Sequence, residues 1–214
     1  MLMNEHMTVR NKARLLYFAY LALLIVTENS FSFMIFNSFL AFAALEISYL
    51  LPLFRPRSKA ELPAGLFVYL LFLLMSPNVF YIVTDLIHLN AFPFRYTAGL
   101  AFREWWHFFL LVAGVLLALF FYVIMVEQVR GLFAGKRLGA LALLIFVLLE
   151  SVGIFIGRFL RFHSVHLFTE PLALLRQFID SLSRDAILFI GWISILQLMI
   201  LWMFAHPLKE KRND

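Results

Sequence analysis

Long, almost uncharged apolar runs recur along the whole chain, and they leave few folds open. A helix crossing a hydrocarbon layer of about 30 Å needs roughly 20 apolar residues, whereas the strands of a closed barrel alternate over about ten. The runs here are continuous, which predicts six transmembrane helices: Ala13 to Phe31, Met34 to Phe54, Leu62 to about Leu89, Trp105 to Glu127, Leu138 to Gly157, and Asp185 to Ala205. The first can end early, because only Leu15 to Val26 is purely apolar before Thr27-Glu28-Asn29-Ser30. Composition agrees. Of 214 residues, 63% are apolar and 14% charged, against about 45–50% and about 25% in soluble domains. A water-soluble globule is therefore excluded. The absence of cysteine removes disulfides, thiolate nucleophiles and thiolate metal sites.

Orientation follows from the basic residues, which collect in short cytoplasmic loops. Arg10, Lys12, Arg14, Arg55, Arg57, Lys59, Arg130, Lys136, Arg137, Lys209, Lys211 and Arg212 fall on one side of the predicted spans. Arg95, Arg103, Arg158, Arg161, Arg176 and Arg184 fall on the other. Both termini are expected in the cytoplasm. No small-residue cleavage site follows Val26, so the first helix reads as retained rather than as a signal peptide. A pI of about 9.7 does not point to nucleic acid, because the positive charges come in groups of three that border spans.

The cytoplasmic links are too short to hold a soluble domain, so any chemistry sits in the bundle or outside it. In the outer link Asn90 to Glu104, Phe92, Phe94, Tyr96 and Phe102 precede Trp105 and Trp106, as expected of an aromatic belt at a headgroup interface. From Pro171, residues Leu172, Leu175, Phe178, Ile179 and Leu182 recur at helical spacing opposite Arg176, Gln177, Asp180 and Ser181. That pattern predicts an amphipathic helix on the outer leaflet.

Ionisable groups inside a bilayer need a partner or a function. Glu46 and Glu150 each lie about twelve residues into a predicted span and are expected deep in the membrane. Gly153 and Gly157 form a small-xxx-small step that lets a neighbouring helix approach. Ser76-Pro77-Asn78 predicts a kink or break in the third helix, beside protein or a cavity that satisfies the freed carbonyls. Asp85 and His88 are three apart, as are Glu104 and His107, so each pair shares a helix face.

Carboxylate-x-x-histidine twice, with lone glutamates such as Glu150 and Glu28, follows the ligand logic of dinuclear sites in helical bundles. Asp85, His88, Glu104, His107 and Glu150 are accordingly candidate ligands for a divalent metal such as iron, manganese or zinc. Two other readings stay open at this point. One is a hydrogen-bonded network closing the bundle. The other is an anion or headgroup site using Arg158, Arg161, His163 and His166. No GxGxxG, P-loop, GxSxG or HExxH motif occurs, and neither Ser151 nor Ser164 has the spacing of a nucleophile system.

Two stretches carry a resemblance. Pro77-Asn78, Tyr81, Thr84-Asp85-Leu86, His88-Leu89, together with Gly153-Ile154 and Ile156-Gly157-Arg158-Phe159-Leu160-Arg161, resemble the signature segments of a bacterial integral-membrane family, domain of unknown function 1361. The resemblance covers nearly the whole chain and implies a small polytopic protein of the bacterial cytoplasmic membrane, with no established activity. The chain departs from the family pattern at Val79-Phe80, where that pattern has alanine-proline, and at His107, near which it has an acidic residue.

The sequence thus predicts an all-α membrane bundle of one domain, residues 1–214. Its outward polar pocket of Asp85, His88, Glu150, Arg158 and Arg161 is expected to bind a polar or anionic partner such as a lipid headgroup. A metal-dependent membrane enzyme is the alternative, and a non-catalytic membrane-complex subunit or a transporter is the third.

Overall fold

The computed structural model describes residues 7–28, 30–92, 99–135, 137–160 and 171–204. Those residues are almost entirely helical. α1 spans Val9–Val26, and it starts where the Thr8 hydroxyl accepts the Asn11 amide at 3.2 Å, supplying one of the partners a helix N-terminus lacks. It ends at Thr27, which turns to extended backbone, so the first apolar segment stops before Phe31. α2 spans Phe33–Ser48 rather than continuing to Phe54. Pro52 disfavours helical backbone at the residue before it, and a turn fills the interval.

The third segment is a composite rod. α3 covers Leu62–Met75, α4 covers Pro77–Tyr81, and a 3-10 helix carries on through Ile82–Ala91. Pro77 ends α3 because it lacks an amide hydrogen and its ring crowds the preceding turn. α5 spans Phe102–Leu132 and α6 spans Gly139–Phe155, the latter continued by a π-helical turn at Ile156–Leu160. Next come α7, Pro171–Ser181, and α8, Arg184–Phe204.

Four of these segments are long and apolar enough to cross a membrane: Leu62–Ala91, Phe102–Leu132, Gly139–Leu160 and Arg184–Phe204. The chain is therefore a multi-pass membrane protein. Its surface fits that setting, with Leu116, Ile187, Trp192 and Trp202 all more than half exposed. In water such a surface would drive aggregation, whereas beside acyl chains it carries no cost. α2 is apolar but only 16 residues long, and α1 has 18 residues but carries Arg10, Lys12 and Arg14, so four rather than six segments are long and apolar enough. α7 forms where the helical spacing begins at Pro171, and its Phe178 ring reaches Phe155 of α6.

α5 is the central rod, buried along Leu110, Leu111, Ala118, Phe121, Tyr122 and Met125. The Tyr20 hydroxyl of α1 donates to the Leu110 carbonyl at 3.0 Å. Gly114 makes that approach feasible, since a Cβ there would lie 2.5 Å from the Tyr20 oxygen and 2.6 Å from Met34. On the other side, Tyr122 donates to Gln197 of α8 at 2.8 Å, and the Gln197 amide donates to Ser151 of α6 at 3.0 Å. This buried chain satisfies its polar members within the bundle, which a low-dielectric core requires.

Candidate functional site

The site begins with the period of the 3-10 helix. At three residues per turn, side chains three apart eclipse one another, so Ile82, Asp85 and His88 form a single row. Ile82 and Asp85 are buried, and the His88 side chain is 39% exposed. The row runs from the core to an accessible edge. His88 Nε2 lies 3.9 Å from Asp85 Oδ1, and its ring packs on Phe33 at 4.5 Å between centroids.

Arg158 meets this row from the π-helical turn at the end of α6. Its Nη2 donates to Asp85 Oδ1 at 2.6 Å, while Asn37 of α2 donates to Asp85 Oδ2 at 2.9 Å. Thr84 Oγ1 accepts from Arg158 Nε at 3.0 Å and from Nη2 at 2.5 Å, and its own hydroxyl donates to the Tyr81 carbonyl at 2.6 Å. The guanidinium carbon sits 4.4 Å from the centre of the Tyr81 ring. Asp85 is therefore a fully used carboxylate, and Arg158 is held by an anion, a hydroxyl and a π face together. None of the described residues takes the two N–H groups of Nη1.

The two stretches that carry the resemblance meet here along one line. A Cβ on Gly153 would lie 2.5 Å from Pro77 Cγ, and one on Gly157 would lie 3.5 Å from the Tyr81 ring. The small residues of α6 let it press against α4, as close helix approach in membranes requires.

Glu150 belongs to a different site. It is completely buried two turns deeper on α6, where the Ser76 hydroxyl is within hydrogen-bond distance of its Oε1. Eight residues separate it from Arg158, about 12 Å along a helix axis, and its partner is the break in the composite rod. Arg161, His163 and His166 lie outside the described residues.

The proposed metal ligands are not gathered: among the described residues no group of three or more histidine and acidic side chains could hold an ion. The reasons are local. Both oxygens of Asp85 are engaged by Arg158 and Asn37. His107 Nε2 accepts the Ser30 amide at 3.2 Å, and its Nδ1 lies 2.7 Å from the Arg103 carbonyl, a pairing that makes Nδ1 the donor. Such an imidazole has no lone pair left for a metal. Glu104 lies one turn before it, at the start of α5.

Glu46 is also displaced from its expected depth. It stands in the last turn of α2 beside the beginning of α1, where Arg14 donates to it at 2.8 and 2.7 Å and Arg10 binds it as well. Sequence reasoning missed Asn37 and Ser76 as partners. The Ser76-Pro77-Asn78 step marked the break but not the acid that faces it.

The family model described as Protein of unknown function (DUF1361) matches residues 36–200, and the chain belongs to that family. No match was found among curated proteins or among solved structures.

Proposed function

We propose that this DUF1361 family member is a six-span protein of the bacterial cytoplasmic membrane whose Arg158 site receives an anionic group, the phosphate of a lipid headgroup, on the outer side. α1 and α2 complete the six spans in this reading. At 1.5 Å per residue they measure about 27 and about 24 Å, and Arg10, Lys12 and Arg14 at the start of α1 suit an interface where basic side chains extend to water. The same alternation keeps both termini cytoplasmic and brings the Asp85–Arg158 pair to the opposite face. α7 then lies along the outer leaflet, with Leu172 and Ile179 towards lipid.

The carrying observation is the state of Arg158: fixed through Nε and Nη2, with Nη1 taken by none of the described residues and the half-exposed His88 alongside. Asp85 orients the guanidinium rather than competing for its remaining donors. A planar fork of this kind matches phosphate oxygens. Binding is tested on purified protein in detergent by native mass spectrometry with short-chain phosphatidylglycerol, phosphatidylcholine and free glycerol phosphate. The wild type is expected to retain phosphatidylglycerol preferentially. R158Q, checked for folding by its thermal transition, is expected to lose roughly tenfold or more in affinity, from charge-assisted bonds worth about 1.5–3 kcal/mol. Retention of glycerol phosphate alone would identify a soluble anion as the ligand. Equal retention of phosphatidylglycerol by wild type and R158Q would reject the site.

A further inference from the structure

Glu150 is a buried acid that the headgroup site does not use. It is fully buried, its Oε2 is the one buried side-chain polar atom without a partner among the described residues, and Ser76 is the sole described partner of Oε1. Ionisable groups at such depth mark a function by default.

Counting protons around Ser76 gives the charge state. Because Pro77 has no amide hydrogen, the Leu73 carbonyl loses the donor it would have in an unbroken helix. The Ser76 hydroxyl takes that place, at 3.3 Å from the Leu73 oxygen. The same hydroxyl also faces Glu150 Oε1. A serine carries one proton and can also accept. Were Glu150 an anion, Ser76 could serve either the carboxylate or the carbonyl and would leave the other bare. With a proton on Oε1 both contacts are satisfied: Glu150 donates to Ser76, and Ser76 donates to Leu73.

Among the described residues, nothing substitutes for that proton. α4, α5 and α8 pack against α6, and among the described residues the polar groups they bring to this stretch are Ser76 and Tyr122 beside Glu150, and Gln197 with Ser194 at the neighbouring Ser151. Of these only Tyr122 is titratable, and its hydroxyl is committed to Gln197. Arg158, on the same rod, is engaged by Asp85.

We propose that Glu150 and Ser76 form an intramembrane proton-binding site in which one exchangeable proton on Glu150 completes the hydrogen bonding of the Ser76-Pro77 break. Removing the proton turns the Ser76 hydroxyl to the carboxylate and strips the Leu73 carbonyl of its donor. Occupancy by a proton is thereby linked to the conformation of the composite rod, whose far end carries Asp85. The ligand is a proton rather than a metal cation, since among the described residues no group of three or more histidine and acidic side chains includes Glu150.

Infrared difference spectroscopy of the purified full-length protein, between neutral and alkaline pH, tests this. The expected result is a carbonyl band of a protonated carboxylic acid at neutral pH that shifts in deuterium oxide, disappears in E150Q and changes frequency in S76A. If E150Q does not fold, the S76A shift alone assigns the band. A folded wild type lacking the band, or a band that survives in E150Q, would overturn the proposal. So would a band that falls when sodium is raised at fixed pH, because that result makes the site a cation site.

Discussion

Two carboxylate–arginine clusters touch α2 about 14 Å apart, Asp85 through Asn37 and Glu46 directly, and they solve the same electrostatic problem in opposite ways. Glu46 is 21% exposed and takes two guanidinium groups that are themselves 37% and 42% exposed. Asp85 is 1% exposed and takes one guanidinium at 17%, with a neutral amide on its second oxygen. Water and salt can replace most of what either partner gives Glu46. Nothing can replace what Arg158 gives Asp85, because a lone charge in that position has no solvent to return to. The exposed cluster ties two helix ends together, whereas the buried one fixes a side chain in a single orientation, which is what a binding site needs.

The comparison breaks most readily at Asp85. D85A leaves the part-buried Arg158 without its anion and the Asn37 amide without its acceptor, and is expected to destabilise the protein by about 3 kcal/mol, measured as a fall in thermal or denaturant midpoint. A loss no larger than that of an exposed pair would mean that the two clusters are equivalent. A smaller effect comes from the spacing that brings the partners together. G153A adds a methyl group 2.5 Å from Pro77 and is expected to cost about 1–3 kcal/mol by overpacking, whereas G157A, at 3.5 Å from Tyr81, is tolerated. Equal stability of the two variants would show that α4 and α6 are not pressed together at Gly153. The smallest loss is expected from E46Q, and it is expected to vanish at high salt, where exposed charges are screened. Salt-independent destabilisation by E46Q would place that cluster in the same class as Asp85.

Much of this was legible from residue order. The apolar runs located α5, α6 and α8 to within a few residues, because uninterrupted hydrophobicity over that length has few structural outlets. The charge-bearing sites were legible only in part. The three-residue spacing of Asp85 and His88 puts them on one face, and the segment winds as a 3-10 helix with a period of three. Arg158 meets Asp85 from the end of α6. Glu150 does not, since depth along a helix was visible in the sequence but the facing partner depended on where Pro77 broke the neighbouring rod. The same limit applies to Glu46: twelve residues into an apolar run implied depth, yet α2 stops at Ser48 and leaves it at a helix end. His107 had metal-like spacing, but the amide of Ser30, 77 positions away in sequence, occupies one of its nitrogens. Spacing reports what one helix can present, and tertiary contact decides what accepts it.

The central claim is that Asp85 exists to aim Arg158 at a ligand, and exchanging the two residues tests it most directly. D85R/R158D keeps opposite charges across the same contact but removes the guanidinium from Thr84 and Tyr81. Phosphatidylglycerol binding and thermal midpoint are then measured on the same preparation of purified protein. The account predicts that the exchange is more stable than D85A alone yet has lost headgroup binding. Restored stability with wild-type binding would contradict it.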